Sequence, residues 1–459
     1  MKKYTILALL VAMFANLIGF TSCDTTSDIV ESEPSRDCII TSATLGTLRR
    51  TVTTKDTTYQ YSVTGGAYLL YIDQVNYKVY NPDSLPVGTH TEKLVYASNG
   101  IVHSGTMAIE SLTSKQDTTF VPTDSTDFSV PRKVTIYAED GQAKRTYTFD
   151  IRVHKQEGDT IEWKQLMHNP LSHLASFVAH RTIETAGTLY VFGQLADGRC
   201  QVITTDTQSP DFNNAANLIT SFTEPIDVAS VQHFDDRFYA LADGQLVTSS
   251  VATGEWNKVE SSLHLDALVG VSGDSLYAVS NQAMLATADG QNWYVSSMEK
   301  DDELPNANLA FAVQSAANNN GVETSLFIGE KNGEMKVWKH DVAATGGFTS
   351  SWISLPQTSE LKEYACPNLK NAHLFAYDKM MVLVGINSEN AVSPFYASQD
   401  NGRTWKTGLL HQPSATGVTA LSVACDENQC IWIVCSGTGD VFRGRLNRLA
   451  WKNNQTRFE

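Results

Sequence analysis

Short runs of alternating apolar and polar residues fill the chain between residues 36 and 154. Residues 59–63, 67–72 and 77–80 show this alternation, threonine, valine and tyrosine are dense in the runs, and turn residues separate them. A period of two that is interrupted by turns at short intervals is typical of a β-sandwich. We therefore predict an N-terminal β-sandwich over residues 36–156.

A longer repeat begins near Trp163. Each unit has an apolar strand, a polar turn, a second strand of Leu-Tyr-Ala-Val character, a third strand, and a turn followed by tryptophan. The second strands are predicted at residues 188–192, 237–241, 275–279, 324–328, 379–384 and 430–434. The tryptophans that close the units are spaced 37 to 59 residues apart: Trp256, Trp293, Trp352, Trp405 and Trp451.

A repeat of roughly 40 to 50 residues with four short strands predicts a β-propeller. We place it at residues 160–459, with six or seven blades, so the predicted fold class is all-β. Residues 161–164 read as an outer fourth strand that precedes any first strand. We predict that this segment pairs with the last blade and closes the ring, which removes two open sheet edges.

The N-terminus has the order of a secretory signal peptide. Two lysines, an apolar run and small polar residues occupy residues 1–22, directly before Cys23. A cysteine at this position resembles the lipobox of bacterial lipoproteins, although Phe20 stands where leucine is usual. The resemblance implies cleavage before Cys23, acylation of its thiol and new amino group, and anchoring to the outer membrane on its periplasmic or cell-surface face. The alternative is a plain signal peptide with a chance cysteine.

Residues 23–35 are polar and acidic and are predicted to be a flexible tether. The β-rich region after them ends in two alternating runs, residues 134–138 and 144–153, around a Glu-Asp-Gly turn. This hairpin resembles the last hairpin of bacterial cadherin-like or immunoglobulin-like modules. The resemblance implies the same fold for the N-terminal domain.

One segment of the repeat region matches a known motif at every fixed position: Ser398, Asp400, Gly402, Thr404 and Trp405. It resembles the Asp-box of sialidases and related propellers, and residues 287–293 look like a shortened copy. The resemblance implies a turn between the third and fourth strands of a blade, away from the propeller axis. Asp400 can accept backbone N–H groups, Gly402 tolerates a positive φ, and Trp405 can pack between neighbouring sheets.

The Asp-box does not by itself indicate catalysis. Sialidases hold the substrate carboxylate with three arginines, and their Arg-Ile-Pro motif opens the first blade. Here Arg181 is the single arginine of residues 172–181, and no Ile-Pro follows it. We therefore predict no sialidase activity and assign no catalytic residue, metal ligand or cofactor. The formal net charge of −16 argues against nucleic-acid binding, because an acidic chain repels phosphates.

Three cysteines lie close together in the last repeat: Cys425, Cys430 and Cys435. A Cys425–Cys430 disulfide across a hairpin end suits an exported protein. Zinc is a second interpretation, but the spacing lacks the Cys-x2-Cys pattern. The interpretation that we favour is small buried cysteines on strands.

The whole architecture resembles uncharacterised lipoproteins that gut anaerobes encode in large numbers. Our hypothesis is a non-enzymatic, membrane-anchored protein that binds a glycan or a protein through one propeller face. The alternative is a carbohydrate-active enzyme, a hydrolase or lyase, that works in the central well. Paired carboxylates with an arginine or tyrosine in the well would favour the enzyme, and a lining of alanine, serine and valine would favour binding.

Overall fold

The computed structural model describes residues 33–53, 57–212, 219–221, 226–250, 256–260, 263–299, 303–315, 321–343, 348–357 and 363–451. These residues form an all-β protein, and none of them lies in an α-helix. The chain divides into two compact units between His154 and Lys155. In the described part of the chain, no helix is long and apolar enough to cross a membrane. The predicted signal peptide, Cys23 and most of the tether lie outside the described residues.

The N-terminal unit contains ten strands. They are β1 (Ile40–Leu45), β2 (Thr47–Thr53), β3 (Thr58–Thr64), β4 (Tyr71–Asp73), β5 (Lys78–Tyr80), β6 (Tyr96–His103), β7 (Thr106–Glu110), β8 (Asp117–Thr119), β9 (Arg132–Tyr137) and β10 (Lys144–Asp150). They form two two-stranded sheets, β1-β6 and β2-β3, and one sheet with the order β4-β5-β10-β9-β7-β8. β10 pairs antiparallel with β9 and parallel with β5.

Because successive side chains of a strand point to opposite faces, the apolar side chains of these strands share one buried core. Val134 and Ile136 of β9, and Tyr147 and Phe149 of β10, are fully buried in it. The predicted strand over residues 67–72 is largely wrong, because only β4 forms there and a 3-10 helix occupies Gly65–Ala67. The β-sandwich itself stays a prediction.

The C-terminal unit begins with β11 (Ile161–His168) and continues with six successive groups of strands, which we call blades 1 to 6. Blade 1 contains β12 (Ala179–Thr185), β13 (Thr188–Gln194), β14 (Cys200–Asp206) and β15 (Ile219–Ser221). Blade 2 contains β16 (Asp227–Phe234), β17 (Arg237–Ala242), β18 (Gln245–Ser249) and β19 (Asn257–Lys258). Blade 3 contains β20 (Ala267–Ser272), β21 (Ser275–Ser280), β22 (Ala283–Thr287) and β23 (Tyr294–Val295).

Blade 4 repeats this four-stranded pattern, whereas blades 5 and 6 each form three strands of their own, and an isolated bridge between Ala397 and Lys406 stands where a fourth strand is predicted in blade 5. Blade 4 contains β24 (Ala307–Gln314), β25 (Val322–Lys331), β26 (Glu334–Ala343) and β27 (Ile353–Ser354). Blade 5 contains β28 (Lys370–Tyr377), β29 (Met380–Ile386) and β30 (Tyr396–Ser398). Blade 6 contains β31 (Leu421–Cys425), β32 (Ile431–Cys435) and β33 (Asp440–Leu446). Each blade is an antiparallel meander, and every predicted second strand of the repeat forms the second strand of a blade.

The first strands of the blades form a closed circuit. β12 lies beside β16, β16 beside β20, β20 beside β24, β24 beside β28, β28 beside β31, and β31 beside β12. Six sheets whose first strands surround a common axis make a six-bladed β-propeller. The described residues thus confirm the propeller and give the lower of the two predicted blade numbers.

The ring is closed by β11, which adds to blade 6 as its outer strand. β11 runs antiparallel to β33, with Ile161 opposite Leu446 and Trp163 opposite Gly444. The sequence also predicted Trp451 as the tryptophan that closes the last unit, and that prediction is wrong. A 3-10 helix, Asn447–Ala450, follows β33, and the outer tryptophan of blade 6 is Trp163 from the start of the unit.

Candidate functional site: the axial well

The first strands of blades 2 to 5 begin around one polar cavity, which we call the axial well. It has a volume of about 370 Å³, which lies within the range of small-molecule sites. The polar residues of its lining are Arg181, Asp227, Ser230, Gln232, Asp266, Asn306, Asn308 and Asn371. The remaining lining is small or apolar and includes five alanines and Phe311.

Irregular pairing at the strand starts shapes this lining. The ladders of β16, β20, β24 and β28 each contain a register shift within the first six residues of the strand. Asn308 and Asn371 lie in two of these shifts and have positive φ values of 49° and 51°. Such bulges turn side chains out of the regular alternation, and strained backbone of this kind is common at binding sites.

Each carboxylate of the well is held by its own blade. Asp227 Oδ1 accepts a hydrogen bond from the Ala229 N–H at 3.0 Å, and Asp266 Oδ2 accepts one from the Asn281 N–H at 2.7 Å. Both side chains are exposed to the well. A carboxylate has about four acceptor positions, so each aspartate keeps acceptor capacity for a ligand hydroxyl.

Positive charge enters the well from blade 1. Burial lowers the pKa of Arg181, and the Arg181 Nε has no hydrogen-bond partner in the described structure. Burial also lowers the pKa of His180 to about 4, and its Nδ1 lies 2.6 Å from the Ser422 hydroxyl. Burial lowers the pKa of His373 to about 3, with a further contribution from the nearby charges of Arg181 and His180. Both histidines are therefore neutral at physiological pH.

A second cavity of about 590 Å³ adjoins the well over blades 2 to 4. It shares Asp227, Asp266 and Asn306 with the well and adds His264 and Gln282. The two cavities are therefore neighbours on the same aspartates. An extended ligand that contacts Asp227 and Asp266 could reach both cavities.

The segment that resembles the Asp-box lies elsewhere, between β30 and the outer edge of blade 5. Asp400 Oδ1 accepts hydrogen bonds from the Ser398 hydroxyl at 2.9 Å and the Thr404 N–H at 2.9 Å, and its Oδ2 accepts one from the Thr404 hydroxyl at 2.6 Å. Burial would raise the pKa of Asp400, but these hydrogen bonds outweigh it and lower the pKa. Gly402 has φ +92°, and Trp405 is buried against blades 4 and 5.

The shortened copy has the same local geometry between β22 and β23. Asp289 Oδ1 accepts hydrogen bonds from the Gln291 and Asn292 N–H groups, each at 2.8 Å. Thr287 takes the place of the serine and bonds the Gly290 N–H at 3.0 Å. The backbone and side-chain hydrogen bonds from Asn292 hold the pKa of Asp289 far below its usual range. Neither copy contributes a residue to the axial well.

The six described cysteines carry free thiols. Cys430 and Cys435 are buried, Cys425 is half-buried, and burial raises the pKa of all three. This agrees with the favoured interpretation of cysteines packed on strands. Within the described ranges, no group of three or more His, Cys, Asp or Glu side chains could hold a metal ion.

Sequence reasoning missed most of the well. It named Arg181 only in order to discount a sialidase motif. A usable signal exists, however, because an Asp or Asn followed by an apolar residue stands at or next to the start of four first strands: Asp227-Val228, Asp266-Ala267, Asn306-Ala307 and Asn371-Ala372. An alignment of the repeats by their second strands would bring Asp227, Asp266 and Asn371 to within two positions of one another, whereas Asn306 is displaced by the longer segment between the starts of β24 and β25.

The fold and the site define a six-bladed propeller with a polar axial well. The chain belongs to the DUF6242 family: residues 157–454 match the model of the DUF6242 beta propeller domain, and residues 43–151 match the model of the DUF6242 N-terminal domain. No curated protein matches the chain.

Solved structures that are similar to part of the chain were also found. AofleA from Arthrobotrys oligospora is 12% identical, with a TM-score of 0.35 over 62% of this chain and 86% of that chain. The PQQ-bound aldose sugar dehydrogenase from Streptomyces coelicolor is 13% identical, with a TM-score of 0.33 over 62% and 98%. Regucalcin from Agrobacterium tumefaciens is 11% identical, with a TM-score of 0.35 over 59% and 90%. Similarity at this level says nothing about the ligand of this chain.

Proposed function

We propose that this chain is a non-enzymatic lipoprotein, anchored to the outer membrane through Cys23, that binds a glycan at the axial well. The observation that carries the proposal is the composition of the well, in which carboxylates, amides and a serine alternate with alanines around Phe311. Amide and carboxylate groups donate to and accept from hydroxyls, and an aromatic face packs on the apolar face of a sugar. Both aspartates are also fixed by backbone N–H groups, which suits a preformed binding surface.

A glycan array probed with the full-length chain in mild detergent tests the binding. We expect retention of a defined set of oligosaccharides, and we expect the double variant D227N/D266N to lose most of it, since an amide accepts hydroxyl hydrogen bonds less strongly than a carboxylate. The matched control is D235N, because Asp235 follows the opposite end of β16. Binding that survives D227N/D266N unchanged, or an array with no retained glycan, would contradict the proposal.

One observation favours an enzyme as the second candidate. Asp227 and Asp266 line the same cavity as Arg181, and glycoside hydrolases use a pair of carboxylates on either side of the scissile bond. Chromatography of every retained oligosaccharide after incubation with the chain separates the two functions. If the unaltered chain forms products and the D227N or D266N variant does not, the chain is a carbohydrate-active enzyme and the binding proposal is wrong.

The anchor has an independent test. Metabolic labelling with a fatty acid should mark the unaltered chain and not C23S, because the cysteine thiol carries the acyl chain and each buried methylene contributes about 0.8 kcal/mol to membrane binding. Fractionation of the envelope should then place the unaltered chain with the outer membrane. Equal labelling of C23S would refute the anchor, and the glycan-binding proposal would be unaffected.

A further inference from the structure

Arg181 differs from the other partly buried arginines of the propeller because it has no partner. Its side chain lines the axial well, its Nε is buried without a hydrogen bond, and no described carboxylate lies within ion-pair distance. By contrast, Arg443 lies 3.1 Å from Asp426, and Arg448 pairs with Asp378. Burial of an unpaired charge is costly, so a guanidinium that stays unpaired in a cavity indicates a ligand that supplies the anion.

The surroundings of Arg181 strengthen this indication. His180 is 3% exposed and His373 is 7% exposed, and the Nε2 of each ring is buried with no partner. The charges of Arg181 and His180 lower the pKa of His373, so the three side chains are near one another, although only Arg181 lines the well. Each of the three has a buried nitrogen without a hydrogen-bond partner, and most buried polar groups in folded proteins are not left in this state.

Two carboxylates in the same cavity limit the kind of anion. Asp227 and Asp266 line the cavity together with Arg181, so a ligand with several negative charges would be repelled there. A ligand with one anionic group and many hydroxyls suits both the arginine and the aspartates. A guanidinium matches a carboxylate through two parallel hydrogen bonds, while the aspartates and asparagines contact hydroxyls.

We propose that Arg181 binds the carboxylate of an acidic sugar residue, of the uronic acid class, whose hydroxyls contact Asp227, Asp266 and Asn306. This inference rests on the proposed glycan-binding function and adds the substrate class to it. Arg181 makes a direct contact with the ligand, whereas His180 and His373 do not line the cavity.

Isothermal titration of the full-length chain in detergent tests the inference with three probes: a galactose trisaccharide in which one residue is galacturonate, the methyl ester of that trisaccharide, and neutral galactotriose. We expect the monouronate trisaccharide to bind at least tenfold more tightly than the other two. R181Q should weaken binding of the monouronate trisaccharide by about tenfold to a hundredfold, the range of a charge-assisted hydrogen bond, and should leave the binding of the neutral probes nearly unchanged. R181K keeps the charge but lacks the planar guanidinium, so its affinity for the acidic probe should lie between those of the unaltered chain and R181Q. The control is R199Q, which removes an exposed arginine that pairs with Asp197.

The outcomes separate the two proposals. Equal binding of the monouronate trisaccharide and its methyl ester by the unaltered chain would overturn the role of Arg181 while glycan binding stands. This comparison needs no variant, so it decides the matter even if R181Q fails to fold. If no oligosaccharide binds, acetate becomes the probe. If acetate stabilises the unaltered chain and R181Q abolishes that effect, the anion site stands and the glycan proposal falls. If acetate does not stabilise the unaltered chain, the anion site is overturned. Tighter binding of an acidic peptide than of any uronate would also overturn the proposal.

Discussion

Asp426 is a buried residue on which the end of blade 6 depends. It is 4% exposed, its Oδ1 accepts the Cys430 N–H at 2.9 Å, and its Oδ2 accepts the Trp432 Nε1–H at 2.9 Å and contacts Arg443 at 3.1 Å. Removal of the carboxylate leaves a partly buried guanidinium and an indole N–H without partners. We expect D426A to lower the free energy of unfolding by about 3 to 5 kcal/mol, measured by urea denaturation.

The control for this prediction is D197A. Asp197 also pairs with an arginine, Arg199, but both side chains are more than half exposed. An exposed pair contributes about 1 kcal/mol or less. A loss in D426A no larger than that in D197A would show that the buried pair does not stabilise blade 6.

His180 and His373 predict a specific dependence of stability on pH. Burial holds the pKa of His180 at about 4 and that of His373 at about 3, whereas an unfolded histidine titrates near 6.5. As the pH falls below about 6.5, the unfolded state binds protons that the folded state does not, so stability is complete above this pH and is lost between about pH 6.5 and 3. Arg181 lies close by and makes the extra charge still less favourable.

Urea midpoints at pH 7.5 and pH 4.5 measure this effect. The unaltered chain should lose more stability between the two values than the double variant H180Q/H373Q, whose amides do not titrate. H173Q is the control, since His173 is exposed. The comparison uses the change with pH and not the absolute stability, so a general cost of the substitutions does not matter. Equal changes in all three proteins would contradict the assigned pKa shifts.

Gly402 lies in a turn of blade 5 and packs against blade 4, so a substitution there tests the packing between these two blades. Its φ is +92°, and an added Cβ would lie 2.9 Å from Leu326 Cδ1 and 3.1 Å from Val337 Cγ1 of blade 4. Gly408 has nearly the same φ, +86°, with nothing within 4 Å of such a Cβ. Both alanine variants carry the backbone cost of about 1 to 2 kcal/mol, but only G402A also crowds a neighbouring blade.

We therefore expect G402A to destabilise the propeller by about 1 to 3 kcal/mol more than G408A does, because overpacking adds to the backbone term. The difference between the two denaturation midpoints isolates the contact between blades 4 and 5. A smaller effect in G402A than in G408A would mean that Leu326 moves aside without cost.

Elements differ in how far the sequence predicts them. The second strand of each blade lies in the middle of its sheet, so its apolar character is strong; β29 is buried at all seven positions. The segment over residues 67–72 carries a similar alternation, yet it does not form one strand. Gly65 approaches the Gly46 carbonyl closely enough that a Cβ would lie 2.1 Å from it, and this packing holds the chain in a 3-10 helix.

The axial well illustrates what a single sequence leaves out at the scale of the molecule. The segment that resembles the Asp-box spans eight positions, so a local pattern reveals it. Arg181 and Asn371 are nearly two hundred positions apart and share a cavity only because six blades close into a ring. Local spacing carries no information about such a pair, whereas comparison of the repeats does reveal Asp227, Asp266 and Asn371 near the starts of their first strands.

Closure by β11 is a property of the whole propeller, and its removal should have two effects. Deletion of residues 161–168 from the full-length chain takes away Ile161 and Met167, whose buried side chains each contribute about 1.5 to 3 kcal/mol. We expect the melting temperature to fall by on the order of 10 °C. The deletion also leaves β33 as an unpaired edge, so light scattering should show association that increases with concentration.

W163A is the control, because it keeps the strand and its ladder to β33 and should lower the melting temperature without association. A deletion variant that melts and scatters like the unaltered chain would mean that blade 6 is complete without β11.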